Sequence, residues 1–331
     1  MNILPEQQSY FKDNIVYLPI QEGLLRVEKK LSLIKKISHP LMSNLLEYVL
    51  NTPGKRVRPA ITLLAANFNS HDYKIIDIMA TAVEMLHIAT LIHDDTVDDS
   101  KLRRGKKTVS NVWGNKEAVL VGDYLFAASA TYVCDTNNIK VIKRFSETIM
   151  ELSSGQLREK EESFKLDLKR DDYFHRIYSK TASLFLTSAQ SGAILSNASD
   201  KIVQSLEQYA YNYGIAFQII DDILDFKGSE DKIGKPVGND LMQGIITLPI
   251  ILALENNNYR LDINELLKDY NDQNKLREVI KKIINTELID ESFDIAKSYC
   301  DKAIDRLNFL PPNESRDSLE KLANLLKLPI N

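Results

Sequence analysis

The segment EMLHIATLIHDDTVD, residues 84–98, decides the fold class. It closes a stretch from Tyr73 to Asp98 that is apolar, rich in helix formers and free of Gly and Pro, and this composition predicts one long α-helix. The segment FQIIDDILD, residues 217–225, repeats the ending, because both apolar runs finish in the pattern Asp-Asp-x-x-Asp. Two long helices with the same acidic end indicate an all-α protein.

The rest of the chain has the same helical character. Gly numbers 12 and Pro 10 among 331 residues, well below their usual share, so turns should be few and helices long. No segment of any length has the period of a strand. We expect one all-α domain over residues 1–331, in which Pro249 kinks the helix that contains it. The expected helices cover about 41–50, 60–68, 117–133, 139–162, 171–196, 201–225 and 241–254, with loops over about 101–115 and 227–240 and amphipathic helices over about 262–328.

Composition excludes several classes of function. The formal net charge is −4 and a basic footprint is absent, so nucleic acid is not expected as a partner. Two cysteines, Cys134 and Cys300, cannot form a disulfide framework, and we expect both to be buried small hydrophobic residues. Residues 1–20 do not resemble a secretory signal, and no run has the composition of a transmembrane segment, so a cytoplasmic protein is predicted.

The two acidic motifs have the spacing of a metal site. Residues four apart lie on one face of a helix, so the first and last aspartates of each motif point the same way. Such carboxylates repel one another and oppose the helix dipole, whereas Mg²⁺ favours oxygen ligands and accepts water or phosphate in its other positions. One motif alone would favour a solvated acidic face, but a second copy favours Mg²⁺ and, through it, a diphosphate. The candidate ligands are Asp94, Asp95, Asp98, Asp221, Asp222 and Asp225.

A diphosphate also requires positive charge, and the chain offers several candidates. The loop at 54–59 reads GKRVRP, and two arginines follow the first acidic motif closely. His87 precedes that motif by two helical turns, and Gln218 precedes the second motif by about one. Each candidate also has an interpretation without a diphosphate. A charged loop alone is typical of a solvated surface, and a single histidine on an apolar helix is typical of the protein core. A lysine before an apolar run either extends its charged end to solvent or binds an anion. The candidates are Lys55, Arg56, Arg58, His87, Arg103, Arg104, Lys180, Thr181 and Gln218.

Together these stretches resemble trans-isoprenyl diphosphate synthases of the long-chain, octaprenyl-like polyprenyl branch. The resemblance implies an all-α isoprenoid synthase-type bundle around a deep central cavity, two or three Mg²⁺ ions, and a homodimer. It also implies isopentenyl diphosphate and an allylic prenyl diphosphate as substrates. The matching segments are GKRVRP (54–59), EMLHIATLIHDDTVD (84–98), SKLRRG (100–105), LVGDYLF (120–126), KTASLF (180–185), FQIIDDILD (217–225) and GKPVGNDL (234–241).

The resemblance assigns a role to each candidate residue. The positions that resemble isopentenyl diphosphate contacts are Lys55, Arg58, His87 and Arg104. Arg103 resembles the allylic diphosphate contact, and Lys235 resembles a further diphosphate contact. The positions that resemble contacts to the allylic substrate are Lys180, Thr181 and Gln218. The two Mg²⁺ motifs are Asp94, Asp95 and Asp98, and Asp221, Asp222 and Asp225. Diphosphate leaves the allylic carbon, the double bond of isopentenyl diphosphate attacks, and a proton is lost, so no side-chain nucleophile is required.

One stretch departs from the family pattern G-D-D-x-x-E-G-K-x-T-L-P. At 238–249, Asn239 and Gln243 stand where the family has acids, and Ile245 stands where it has a lysine. The lysine loss weakens the case for a phosphate contact there, but no Mg²⁺ ligand named above is affected.

Small residues before the first acidic motif predict a long product. Ala89 and Thr90 lie five and four positions upstream of Asp94, where short-chain members of the family place an aromatic floor. We expect a product of about C40, with about C30–C50 open, for a quinone side chain, and transient membrane contact on its release. The residues expected at the floor are Tyr132, Val133, Cys134 and Phe145.

Several alternatives stay open. A shorter-chain enzyme with a product of about C15–C20 would use the same chemistry. A catalytic subunit that requires an unlike partner is favoured by the departures at 239–245. A terpene cyclase or head-to-head synthase would not need the residues at 54–59 and His87, and a non-catalytic subunit would have degraded aspartate motifs.

Overall fold

The computed structural model describes residues 11, 14–103, 105–227, 237–267 and 272–329, and confirms the predicted all-α class. The helices of the first half are α1 Gln21–Ile34, α2 Pro40–Leu50, α3 Val57–Ala66, α4 Tyr73–Val97, α5 Val109–Trp113, α6 Asn115–Cys134 and α7 Ile139–Glu161, preceded by a 3-10 helix at Ile15–Ile20. Those of the second half are α8 Arg170–Ile177, α9 Ser183–Leu195, α10 Asp200–Lys227, α11 Asn239–Met242, α12 Leu248–Glu255, α13 Asn257–Leu267, α14 Gln273–Ile284, α15 Leu288–Leu307 and α16 Glu314–Leu326. A π-helical turn, Tyr178–Ala182, joins α8 to α9.

Helix α4, which carries the first acidic motif, is capped by an aspartate at each end, Asp72 and Asp98. At its start the Asp72 side chain accepts a hydrogen bond from the Lys74 N–H at 2.9 Å, which satisfies an amide of the first turn. At its end the Asp98 N–H donates to Asp94 O at 2.9 Å, and Asp99 follows with a left-handed φ of 49°. The motif therefore occupies the last turn of the helix, as its position after the apolar run predicts.

The predicted loop after α4 contains a small β-hairpin. Strand β1, Leu102–Arg103, pairs antiparallel with β2, Lys106–Lys107, and Gly105 between them has a φ of 75°. The sequence has no segment with the period of a strand, and this short hairpin agrees with that finding. A two-residue ladder is too short to produce the apolar–polar alternation by which strands are recognised.

Two predicted helices are interrupted in the structure. The stretch 171–196 contains the π turn, and the stretch 241–254 is divided by Gly244, which has a φ of 86°. The prediction that Pro249 kinks a continuous helix is wrong. Pro249 lies in the first turn of α12. Its missing N–H and fixed φ suit that position, where the amide would have no partner within the helix.

The backbone contacts of the chain form two compact units. The first consists of the described residues of Met1–Glu147, Leu184–Ala210 and Arg306–Leu322. The second consists of those of Thr148–Ser183, Tyr211–Asp305 and Ala323–Asn331. The single domain over residues 1–331 stays a prediction.

Each unit has its own apolar core. In the first, α4 packs against α1, α3 and α6. Among the described residues α4 is also the one helix long and apolar enough to cross a membrane, but 72% of its apolar window is buried, as in a core helix. In the second unit α12 is buried from Leu248 to Leu254. Cys300 is buried as predicted, whereas Cys134, the last residue of α6, is exposed, so its predicted burial is wrong.

Candidate active site

The first acidic motif forms a charged cluster with the hairpin, within the first unit. Asp95 is buried, and both of its carboxylate oxygens accept hydrogen bonds from Arg103 Nε, at 2.9 and 2.8 Å. Burial opposes the charge of this guanidinium, but the Asp95 hydrogen bond and the charges of Asp94 and Asp98 outweigh it and raise the pKa of the arginine. Asp94 is half-buried and Asp98 exposed, so these two carboxylates are the more accessible pair.

A cationic group lies at the start of α3 in the same unit. Arg58 Nη1 is 3.2 Å from His87 Nε2, and its Cζ lies 4.3 Å from the centroid of the Phe185 ring. Lys55 is exposed in the preceding loop, where its carbonyl accepts a hydrogen bond from Tyr17 OH at 2.7 Å. The structure therefore brings Arg58 and His87 together, as the predicted diphosphate site requires, and Phe185 fixes the plane of the guanidinium.

Arg56, between these two cations in the sequence, has a different environment. It is 5% exposed, its Nε donates to Glu28 at 2.5 Å, and its Nη1 donates to Glu84 at 2.8 Å. Burial opposes its charge, but Glu84 and Glu28 outweigh this and raise its pKa. Two carboxylates of this chain already neutralise Arg56, so it anchors the loop, and Lys55 and Arg58 are left as the loop's candidate anion contacts.

The second acidic motif lies near the end of α10, in the second unit. Asp222 is buried, and its carboxylate accepts hydrogen bonds from Tyr173 OH at 2.7 Å and from Gln218 Nε2 at 2.8 Å. Burial raises the pKa of Asp222 to about 7, although both hydrogen bonds act in the opposite direction. Asp221 is exposed and Asp225 is half-buried. As in the first motif, the middle acid is enclosed and the two outer acids are more accessible.

The loop that departs from the family pattern contacts this second motif. The Asp240 N–H donates to Asp225 Oδ2 at 3.0 Å, and the Gly238 N–H donates to Asp225 O at 2.8 Å. Burial, and then the charge of Asp225, raises the pKa of Asp240 well above its ordinary value. Asp240 therefore adds a fourth carboxyl to the second acidic motif, despite Asn239 beside it.

Lys180 and Thr181 lie on the π turn of the second unit. Lys180 Nζ donates to the Glu159 carboxylate, and Thr181 Oγ1 donates to Gln218 Oε1 at 2.6 Å. Because Gln218 in turn donates to Asp222, the turn is connected to the second acidic motif by two consecutive hydrogen bonds. The structure thus brings together the three predicted polar contacts of this unit.

Other predicted residues are placed less fully. Arg104 and Lys235 lie outside the described residues. The residues predicted to set product length all belong to the first unit, where Ala89, Val133 and Phe145 are buried and Thr90 is half-buried. Their role stays a prediction.

The donor chemistry of the two motifs fits a hard divalent cation. All candidate ligands are carboxylate oxygens, and the more accessible pairs, Asp94 with Asp98 and Asp221 with Asp225, are one helical turn apart. Within the part of the chain that the structure describes, no three His, Cys, Asp or Glu side chains converge on one point. Mg²⁺ commonly takes one or two protein carboxylates and completes its octahedron with water and substrate phosphate, so the motifs match that mode of binding.

Sequence reasoning missed several residues of the site. Phe185 and Asp240 lie inside the segments KTASLF and GKPVGNDL, which resemble the family, and this position in the sequence is a signal by which they can be found. Tyr173 and Glu159 gave none, because a hydrogen bond to a residue 49 or 21 positions away depends on packing between helices.

Known proteins are similar to this chain over most of its length. A sequence model of the family described as Polyprenyl synthetase matches residues 39–286. Heptaprenyl diphosphate synthase component 2 of Bacillus subtilis (strain 168) is 36% identical over 315 residues, which cover 95% of this chain and 90% of that protein. The chloroplastic solanesyl-diphosphate synthase 2 of Oryza sativa subsp. japonica is 34% identical over 309 residues, which cover 92% of this chain and 76% of that protein.

A solved structure has the same fold. The polyprenyl synthase of Caulobacter crescentus CB15, complexed with calcium and isoprenyl diphosphate, superimposes with a TM-score of 0.89 at 31% identity, over 95% of this chain and 96% of that one. The match covers the motifs described above and most of the sequence. The chain therefore belongs to the polyprenyl synthetase family of trans-prenyltransferases.

Proposed function

We propose that this protein is a Mg²⁺-dependent enzyme that condenses isopentenyl diphosphate with an allylic diphosphate and makes a long all-trans polyprenyl diphosphate of about C40. The arrangement along α4 carries this proposal. The contact between Arg58 and His87 lies seven residues before Asp94, about 10 Å along the helix axis. One helix thus supports a cationic group for one diphosphate and an acidic group for a metal-bound second diphosphate.

We assign different side chains to the diphosphates of the two substrates. Arg58 offers forked N–H donors to the isopentenyl diphosphate, with His87 beside it and Lys55 on the adjoining loop. Arg103, whose orientation is fixed by Asp95, contacts the allylic diphosphate. The Mg²⁺ ligands are Asp94 and Asp98 in the first motif and Asp221 and Asp225 in the second.

The reaction needs charge stabilisation more than a nucleophile. When bound, Mg²⁺ stabilises the negative charge that develops on the leaving diphosphate. The C–O bond of the allylic diphosphate breaks with its electron pair on oxygen, and the double bond of isopentenyl diphosphate forms the new C–C bond. The departing diphosphate takes up the proton that is lost, which restores a double bond in the product, and leaves as inorganic diphosphate. Buried apolar residues of α4, such as Ile88 and Ala89, keep water from quenching the carbocation.

A long product is supported by two observations. Ala89 and Thr90 are small, so no aromatic side chain stands one turn before Asp94. The names of the relatives, a heptaprenyl and a solanesyl diphosphate synthase, also belong to long-chain products. We propose that Val133 and Phe145, both buried, form part of the floor that stops growth, and that the product supplies a quinone side chain.

Incorporation of labelled isopentenyl diphosphate into an acid-labile or solvent-extractable product tests the proposal. We expect incorporation with farnesyl diphosphate and Mg²⁺, and its loss on chelation and in Asp94→Ala. The matched control is Asp99→Asn, which removes the charge of an exposed acid just beyond the motif and keeps a residue that tolerates its left-handed φ. Incorporation that survives both chelation and Asp94→Ala would contradict the proposal.

A second candidate is a catalytic subunit that works with an unlike partner. The name of the Bacillus relative, which ends in component 2, favours this candidate. A homodimer is favoured by apolar side chains that α6 and the start of α7 expose, since Val119 is 44%, Leu120 59% and Ile139 82% exposed. Size-exclusion chromatography with an activity assay on the eluted peak decides between them. An active dimer of this chain alone supports the homodimer, and an inactive peak supports the unlike partner.

A further inference from the structure

The π turn Tyr178–Ala182 gives Lys180 and Thr181 an unusual backbone setting. The Ser183 N–H bonds to Tyr178 O, five residues back, instead of the four of an α-helix. Ser183 also donates from its Oγ to Ser179 O at 2.9 Å. A single wide turn inside a helix changes the direction of the side chains it carries, and such turns occur often at functional sites.

A neighbouring helix approaches this turn closely at one point. Gly155 of α7 is buried, and a Cβ atom added to it would lie 2.9 Å from Ser179 Cβ and 3.0 Å from Lys180 N. The second of these atoms belongs to the backbone, so it cannot move by a change of rotamer. Only a residue without a side chain lets the π turn occupy its place against α7.

Two acids on the same face of α7 contact the turn on either side of that glycine. Glu151 precedes Gly155 by four residues and accepts a hydrogen bond from Tyr178 OH at 3.3 Å. Glu159 follows it by four and accepts the hydrogen bond from Lys180, with 11% of its own side chain exposed. Residues at this spacing share one helix face. We name Glu151, Gly155 and Glu159 the α7 seat.

We propose that the α7 seat shapes the π turn and thereby positions Lys180 and Thr181 for the allylic diphosphate, with Gly155 and Glu159 as positioning residues. The proposal rests on the proposed function, in which these two side chains contact that substrate. Lys180 has a long flexible stem and three N–H donors, so Glu159 can hold it by one and leave the others for phosphate. Thr181 is held in turn through Gln218, which donates to Asp222 of the second acidic motif.

The first variant is Gly155→Ala. Because Ala is the better helix former, the substitution by itself favours α7, and harm can only come from the contact with the π turn. We expect the KM for farnesyl diphosphate to rise about 3- to 10-fold while the KM for isopentenyl diphosphate stays within about twofold. Ser154→Ala, an exposed neighbour on the same helix, is the matched control and should change neither constant.

The second variant, Glu159→Gln, adds no volume. It therefore tests the proposal even if Gly155→Ala fails to fold. Since the charged partner that orders Lys180 is lost, we expect the KM for farnesyl diphosphate to rise about 2- to 5-fold, with the KM for isopentenyl diphosphate unchanged. A fall in the KM for farnesyl diphosphate would overturn the proposal, because it would mean that Glu159 competes with the substrate for Lys180.

The unaltered protein separates this inference from the proposed function. If it incorporates isopentenyl diphosphate, the function stands and the variants test the seat alone. A selective rise in the KM for the allylic substrate in both variants supports the seat. Equal changes in both KM values, or no change in Gly155→Ala, overturn it while the proposed function stands. If the unaltered protein converts neither substrate, the proposed function fails first and the seat proposal fails with it.

Discussion

Arg103 donates its Nε–H to both carboxylate oxygens of Asp95, so the middle acid of the first motif is paired with a cation of its own chain. Asp222, the middle acid of the second motif, is likewise enclosed, by Tyr173 and Gln218. In each motif the middle acid is therefore held by side chains of its own chain, and our proposal assigns metal binding to the more accessible outer acids.

The first prediction separates these two roles. We expect Asp94→Asn and Asp98→Asn to lower kcat/KM about 100- to 1,000-fold and to raise the Mg²⁺ concentration needed for half-maximal rate. Asp95→Asn removes a charge that holds Arg103, so it should lower kcat/KM about tenfold with little change in the Mg²⁺ requirement. Mg²⁺ titrations of the three variants measure this. An equal rise in the Mg²⁺ requirement for Asp95→Asn would contradict the assignment.

The second prediction concerns the cationic group at Arg58. Arg58→Lys loses both the planar fork and the contact with the Phe185 ring, so the KM for isopentenyl diphosphate should rise about tenfold or more. The KM for farnesyl diphosphate should stay within about twofold. Lys29→Ala, which alters an exposed lysine on α1, is the control. A rise confined to farnesyl diphosphate would reverse the assignment of the two substrates.

The third prediction separates stability from binding within one loop. Arg56→Ala leaves Glu28 and Glu84 without their shared cation, so we expect a loss of about 3–5 kcal/mol in the free energy of unfolding. Lys55→Ala should change that free energy by less than about 0.5 kcal/mol but raise the KM for isopentenyl diphosphate. Urea denaturation and steady-state kinetics test both. Similar stabilities for the two variants would show that Arg56 does not anchor the loop.

The fourth prediction follows from the pKa of Asp222. Burial raises this pKa to about 7, and the hydrogen bond from Tyr173 acts against burial by stabilising the ionised form. Tyr173→Phe removes that bond, so the pKa should rise further, and a protonated Asp222 no longer adds its negative charge beside Asp221 and Asp225, the proposed Mg²⁺ ligands. The acid limb of the kcat/KM profile should therefore move to higher pH. Tyr259→Phe, at an exposed hydroxyl, should leave it in place, and an unmoved limb in Tyr173→Phe would contradict the account.

The fifth prediction tests the length of the product. Because Ala89 is small and precedes Asp94, Ala89→Phe should shorten the main product, and Val133→Ala should lengthen it by lowering the floor. An Ala89→Phe variant that loses about 1–3 kcal/mol of stability but keeps its product length would contradict the open channel. Chromatography of dephosphorylated products, with thermal denaturation beside it, distinguishes the two outcomes.

The sequence predicts the helical class and the acidic motifs because both depend on local properties of the chain, which do not change with the packing of the helices. The absence of Gly and Pro from 73–98 and the i, i+4 spacing of Asp94 and Asp98 are local properties, and both appear in the structure. Pro249 shows the limit of local reasoning. A proline inside an apolar run is compatible with a kink in a long helix or with the first turn of a new helix. Because the chain breaks at Gly244, Pro249 lies in the first turn of α12.

What the sequence could not predict is which charges neutralise each other. Lys55, Arg56 and Arg58 look alike in GKRVRP, yet only Arg56 is enclosed by two glutamates, which approach it from α1 and α4. The close approach of Gly155 to the π turn is equally invisible, because it depends on how α7 packs against a segment about 25 residues away.

We propose that this chain alone elongates an allylic diphosphate to a long product. The most direct test of this proposal is to incubate the purified protein with Mg²⁺, farnesyl diphosphate and labelled isopentenyl diphosphate, and to size the dephosphorylated product by chromatography. We expect one main product of about C40. A product that stops at about C20 would contradict the open channel at Ala89, and a failure to incorporate label would contradict the claim that the chain works without an unlike partner.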